Sequence, residues 1–396
     1  MDVQKIYDAK ERLKGHIKET PVVKAPNLGD DIYLKVEVLQ DTGSFKLRGA
    51  YNKIATLTPE EAAKGVIACS AGNHAQGVAK SATEKGIKSI ICMPLHAPIS
   101  KVEATENYGA EVVLVPETFD DAKAKAEELV REKGYTFIAP FDDEEVIAGQ
   151  GTIGLEIAEQ LPGVDIVVVP IGGGGLISGV AQAIKKECPH VKVIGVQTKA
   201  IPSMYESRKA GKITEVAGGS TIADGIAVKV PGKITYEIIN EFVDEIVLVD
   251  EQEIASAILT LLEKDKIVAE GAGATPVAAV MYNKFEHAGK KVCCVVSGGN
   301  IDVTRIQKVI DKGLFKSGRA AEYDVVLNDT PGEMSKLTKI LEEEKTNISH
   351  IRQKIEAHSD AIDAVIVNVV VSTRNFEHQK ELERKLAEQG YKFTKK

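Results

Sequence analysis

Residues Asp165–Gly179 read DIVVVPIGGGGLISG, and this stretch decides the architecture. Its first half is short, β-branched and apolar without alternation, the pattern of a strand buried on both faces. Its second half opens a helix, LISGVAQAIKKECP. Between them stand four consecutive glycines, Gly172, Gly173, Gly174 and Gly175. Such a run costs backbone entropy on folding. One reading is a flexible turn; the other is a main chain that must press against a ligand. A glycine loop at a helix N-terminus offers free N–H donors and the positive end of the helix dipole, which suits a phosphate. The spacing is not G-x-G-x-x-G with an acidic ribose partner, and no G-K-[ST] follows. The expected ligand is therefore a small phosphate-bearing cofactor rather than a dinucleotide or ATP.

The same strand–loop–helix rhythm runs outward in both directions. KGVIACS, KSIICMP, AEVVLVP, TFIAP, VKVIGVQ and KVCCVV read as further buried strands. NHAQGVAKSATEKG, APISKVEATENYG and FDDAKAKAEELVREKG read as helices closed by Gly86, Gly109 and Gly134, the last with Asp120 or Asp121 near its start. This predicts an α/β fold of open, wound, mostly parallel sheet. The pattern changes at DKGLFKSGRAAEYD, Asp311–Asp324, which reads as a linker. Beyond it AEYDVVLN, NISHIRQKIE, DAVIVNVVVST and YKFTKK read as strands. A helix opened by Pro331 and a second helix, NFEHQKELERKLAEQG, complete a βαββαβ ferredoxin-like unit. The expected domains are 1–318 and 319–396.

The chain has 396 residues, 43% hydrophobic and 27% charged, an ordinary globular composition long enough for two or three domains. Its net charge of −8 argues against nucleic-acid and anionic-membrane partners. No apolar run approaches the ~18 residues of a membrane span, and the charged start MDVQKIYDAKERLKG reads as a helix rather than a signal peptide. The five cysteines contain no C-x-x-C pair, so reduced thiols in a cytoplasmic protein and no metal site are expected.

Two more loops follow strands: SAGNHAQG, Ser70–Gly77, and SGGNID, Ser297–Asp302. Alone, Asn73 is an ordinary N-cap, His74 a packing residue and Ser297 a strand-end hydroxyl. Together with the glycine run they occupy the carboxyl ends of strands, where open α/β sheets bind ligands. Upstream lies DTGSFKLRGA, Asp41–Ala50, with Lys46 set in its middle. A lone lysine is normally a solvated surface charge.

GSFKLRGA, SAGNHAQG, GGGGLISG and SGGN, in this order, resemble the fold type II pyridoxal-phosphate enzymes, and within them the threonine dehydratases (threonine ammonia-lyases). The resemblance covers about residues 5–315; the C-terminal unit, with DTPGEMSKL, resembles an ACT regulatory domain. It implies a two-lobed catalytic domain and pyridoxal 5'-phosphate as cofactor. Lys46 would condense with the cofactor aldehyde and serve as base. Phe45 would stack on the ring, and Asn73 would bond the phenolic oxygen. Gly172, Gly173, Gly174, Gly175 and Leu176 would hold the phosphate, and Ser297 would face the ring nitrogen. Ser70, Ala71, Gly72, Asn73 and His74 would grip the substrate carboxylate.

The implied reaction is deamination of L-threonine, and of L-serine, in a homodimer or homotetramer. Serine racemase, a β-replacement enzyme and a non-catalytic amino-acid sensor are the alternatives. Racemases of this family carry a serine where this chain has Ala71. Gln197 and Ser203 stand where their cation-binding carboxylates would be. In the C-terminal unit Asn328, Asp329 and Gly332 would receive an amino-acid effector at a helix N-terminus.

Overall fold

A computed structural model of the chain describes residues 1–116, 118–354 and 364–396. The chain divides into two units, Met1–Asp302 and Val303–Lys396. The first contains ten strands: β1 (Val22–Lys24), β2 (Ile32–Val36), β3 (Val66–Cys69), β4 (Ser89–Pro94), β5 (Glu111–Val115), β6 (Thr136–Phe137), β7 (Ile166–Pro170), β8 (Lys192–Thr198), β9 (Glu245–Val249) and β10 (Val292–Val296). They form two sheets. The smaller runs β5-β4-β3-β6, all parallel. The larger runs β1-β2-β10-β7-β8-β9, parallel except where β1 meets β2.

The apolar runs fold as their pattern requires. Every residue of β3, β7 and β10 is buried. Ile177, Val180 and Ile184 of the helix Gly175–Glu187 pack with Val167 and Val169 of β7. Ala75, Val78, Ala79 and Ala82 of the helix Asn73–Glu84 pack with Val66 and Ala68 of β3. The small side chains let that helix lie close to its sheet. TFIAP contributes only Thr136–Phe137 as strand. The helix Phe119–Lys133 is capped by Thr118, with Asp121 returning the bond to the Thr118 N–H, and it closes at left-handed Gly134.

One buried cluster fixes the helix Lys46–Ala55. Arg48 is fully buried. Its guanidinium donates to Glu37 at 2.9 and 2.8 Å, to Glu156 at 2.5 and 2.9 Å, and to Thr152 Oγ1 at 3.1 Å. Lys35 Nζ donates to Glu156 at 2.5 Å and to the Thr20 carbonyl at 2.5 Å. Two cations face two carboxylates, so no buried charge is left unpaired.

The second unit begins with the helix Val303–Lys316. The expected linker is therefore helical up to Lys316, and the division falls after Asp302 rather than near Gly318. Four antiparallel strands follow: β11 (Ala320–Asn328), β12 (Asn347–Lys354), β13 (Ala364–Ser372) and β14 (Lys392–Lys395). They lie in the order β12-β13-β11-β14, with the helices Glu333–Glu343 and Phe376–Glu388 in the connections. Tyr323, Val325, Leu337, Leu341, Val369 and Leu382 share one apolar cluster. The first of these helices starts at Glu333 rather than at Pro331, because Gly332 takes a left-handed conformation at φ +98° and forms its N-cap. The expected strand residues Ile355, Glu356 and Asp363 lie outside the described residues.

Candidate active site

The large sheet delivers two loops side by side. β10 and β7 are neighbours, so Ser297 and the glycine run leave adjacent strand ends. β2 flanks β10 on the other side, and a single 3₁₀ turn, Glu37–Leu39, separates it from the segment that leads to Lys46. The Phe45 N–H donates to the Ser297 carbonyl at 3.0 Å, and Ser44 bridges Gly298. The main chain immediately before Lys46 is thus stitched to the end of β10.

Lys46 is the first residue of its helix and is half-buried. Its amine donates to the Pro140 carbonyl at 2.6 Å and lies 5.2 Å from the centroid of the Phe45 ring. Burial lowers its pKa to about 8, although the charge of Glu270 pulls the other way. A lysine in this state supplies free amine near neutral pH, as nucleophilic lysines require.

Pro140 also connects Lys46 to the glycine run, because the next residue is Phe141. A Cβ on Gly173 would stand 2.5 Å from the Phe141 ring. Gly174 has φ +100° and caps the helix Gly175–Glu187, which has no side-chain cap. Thr235 Oγ1 donates to the Gly173 carbonyl at 2.6 Å and holds the loop from behind. The glycines are therefore demanded by close packing and by a left-handed turn, and the first N–H groups of the helix stay open for an anion. Leu176 is buried in the same helix.

From the small sheet, Ser70, Ala71 and Gly72 follow β3, and Asn73 opens a helix that also lacks a side-chain cap. The Gly72 N–H donates to Ser70 Oγ at 3.3 Å. The His74 ring is buried, and its Nε2 donates to the Ile138 carbonyl at 2.8 Å. Burial, and then the charge of Lys46, lower the His74 pKa to about 3. Its imidazole is neutral and committed to the fold, so His74 offers the loop only its main chain. The Asn73 side chain is engaged on both sides. Asn73 Nδ2 donates to Glu270 at 2.8 Å, and Asn300 Nδ2 donates to Asn73 Oδ1 at 2.7 Å. Ser297 is buried, at 2% exposure, and no hydrogen bond of its hydroxyl is seen among the described residues.

Glu270, Asn300, Pro140 and Phe141 were not singled out from the sequence. Asn300 lay within a quoted motif, and Glu270 precedes the glycine-rich GAGA, a signal of close packing. Asn328, Asp329 and Gly332 sit together at the β11 turn of the second unit, all exposed. In the same unit Glu344, His378 and Glu381 bring three ligand-type atoms within 4.8 Å of one another. Both His378 nitrogens are engaged there, Nδ1 accepting from the Arg374 N–H at 3.1 Å and Nε2 donating to the Glu344 carbonyl at 2.7 Å.

Residues 13–298 match the family model described as pyridoxal-phosphate dependent enzyme. This chain belongs to the pyridoxal-phosphate-dependent enzymes. Over 393 residues it is 50% identical to the L-threonine ammonia-lyase of Thermotoga maritima, covering 98% of each chain. The threonine deaminase isoform 2 structure from Solanum lycopersicum superposes with a TM-score of 0.74 at 38% identity, covering 78% of this chain and 87% of that one. Maize serine racemase gives a TM-score of 0.74 at 34% identity, covering 80% of this chain and 98% of that one. For this pyridoxal-phosphate-dependent enzyme the residues present suit the cofactor. A primary amine with lowered pKa, an uncapped helix N-terminus at the glycine run and an unpartnered strand-end hydroxyl match its aldehyde, phosphate and ring nitrogen.

Proposed function

We propose that this enzyme deaminates L-threonine to 2-oxobutanoate and ammonia by β-elimination, and treats L-serine likewise to give pyruvate. The observation that carries this reading is the Lys46 amine, held with a pKa of about 8 beside the end of β10. The Thermotoga maritima relative, similar over 98% of both chains, supports the substrate.

The bound cofactor supplies an aldehyde that joins the substrate amine and a conjugated ring that takes up electrons released at Cα. Lys46 would hold the cofactor aldehyde, and its amine is the base that would take the Cα proton. Within Ser70–His74, the N–H groups of Ala71, Asn73 and His74 would orient the substrate carboxylate, those of Ser70 and Gly72 being bonded to the Cys92 carbonyl and Ser70 Oγ. Gly172–Gly175 and Leu176 would anchor the phosphate through main-chain N–H groups, and Phe45 would stack on the ring. Ser297 would present a neutral hydroxyl to the ring nitrogen; unlike a carboxylate, that hydroxyl would not hold a full positive charge there, which would favour loss of the β-oxygen. The Cα–H and Cβ–O bonds break, water leaves, and hydrolysis of the released enamine returns one water and frees ammonia.

The racemase reading needs a second proton-transfer group opposite Lys46. Ala71 cannot supply one. Gln197 Oε1 accepts from the Tyr205 N–H at 2.8 Å and Ser203 Oγ donates to the Val228 carbonyl at 2.6 Å, so neither offers a charged oxygen to a cation. Incubating the loaded enzyme with L-serine and separating the products by chiral chromatography tests the choice. Pyruvate is expected with negligible D-serine; D-serine forming as fast as pyruvate defeats this reading.

The second unit is assigned to an amino-acid effector at Asn328, Asp329 and Gly332, in a homo-oligomer. The helix Glu333–Glu343 has no side-chain cap, and while the Glu333 N–H donates to the Thr330 carbonyl, the next N–H groups, of Met334 and Ser335, would be left for a carboxylate. All five cysteines are unpaired, as in a reducing cytoplasm. Among the described residues no helix is long and apolar enough to cross a membrane.

A further inference from the structure

The carboxamide of Asn73 has its orientation set from both ends. Asn300 Nδ2 donates to the Thr42 carbonyl at 2.8 Å and to Asn73 Oδ1 at 2.7 Å. Both Asn300 N–H groups therefore face oxygens, and Asn73 must present its own oxygen to Asn300. The Asn73 nitrogen then lies on the opposite side, where it donates to Glu270 Oε1 at 2.8 Å. An amide nitrogen carries two hydrogens. Glu270 takes one, and the other remains available.

Glu270 is placed with little freedom. It is 5% exposed, and its N–H donates to the Gly298 carbonyl at 3.0 Å. A Cβ on residue 298 would stand 2.6 Å from Glu270 Oε1, so the loop after Ser297 leaves room for this carboxyl only because it has glycine there. Among the described residues its carboxyl has Asn73 as its hydrogen-bond partner and no ion pair. A buried carboxyl without a cation is costly, and the fold accommodates one at the edge of the cofactor site.

We propose that Glu270 is a positioning residue for the cofactor: it turns the Asn73 carboxamide so that Asn73 meets the phenolic oxygen as a donor. This rests on the cofactor reading given above. Burial raises the Glu270 pKa to about 7, opposed by the Asn73 bond and reinforced by the charge of Asp224. Lys101 and Lys46 are the other charged groups acting on it. The orientation survives protonation, because a carboxyl oxygen accepts in either state.

The test is equilibrium dialysis of apoprotein variants against pyridoxal phosphate, which needs no turnover. Removing the acceptor in Glu270→Ala is expected to weaken cofactor binding about tenfold, the scale of one hydrogen bond. Glu270→Gln keeps an acceptor oxygen and is expected to bind within about twofold of wild type. The double variant Asn73→Ala/Glu270→Ala is expected to bind no more weakly than Asn73→Ala alone. Wild-type affinity in Glu270→Ala, failure of Gln to restore it, or losses that multiply in the double variant each overturn the proposal. If Asn73→Ala itself binds normally, the cofactor role of Asn73 falls first, and the Glu270 role with it.

Discussion

Lys46 differs from the other lysines in how little its ammonium gains from being charged. Burial takes away hydration, and the structure returns one carbonyl bond and the distant charge of Glu270. A lysine whose pKa falls from 10.5 to about 8 is increasingly neutral above pH 8 and protonated below it. Cofactor uptake needs the free amine. The uptake rate of the apoenzyme is therefore expected to rise with pH, reach half its maximum near 8 and then level off. Stopped-flow absorbance across a pH series measures this, and a midpoint near 10.5 would mean that the site does not tune Lys46. The motifs around Lys46, Asn73 and Ser297 were legible because each sits in a loop with an unusual local signature. Glu270 was not legible: its partner Asn73 lies 197 residues away, and only the folded chain brings them together.

At the scale of elements, β3–β8 and β10 follow from apolar runs and the helices between β3 and β6 from glycine stops, whereas β1, β2 and β9 were not read from the sequence. Nor was the helix Val303–Lys316, because Gly313 and several charges hid it. Ile306, Val309, Ile310 and Leu314 recur at helical spacing. That face outweighs the roughly 1 kcal/mol a single glycine costs inside a helix. The buried ion cluster was also invisible, since Lys35, Glu37, Arg48 and Glu156 come from separate segments. It anchors the helix that carries Lys46. Arg48→Met would leave Glu156 with Lys35 and Glu37 without a cation, and removing one partner of a buried ion network costs about 3–5 kcal/mol. Urea denaturation of the variant is expected to show a loss of that size, and a loss below about 1 kcal/mol would show that the cluster does not anchor the helix.

At the scale of the molecule, the catalytic reading uses residues of the first unit alone, and the family match ends at residue 298. Deleting the residues after Gly318 is accordingly expected to leave a cofactor-loaded, active enzyme that no longer responds to branched-chain amino acids. Initial rates with millimolar isoleucine or valine, for full-length and shortened protein, test the effector assignment. It fails if neither amino acid changes the full-length rate, or if the shortened enzyme responds equally. The central claim is tested most directly by counting products from L-threonine. The loaded enzyme is expected to release 2-oxobutanoate and ammonia in equal amounts, and Lys46→Ala is expected to release neither above background. Wild-type enzyme that takes up the cofactor yet yields no 2-oxobutanoate, or a Lys46→Ala variant that produces it at near-normal rate, would contradict the account.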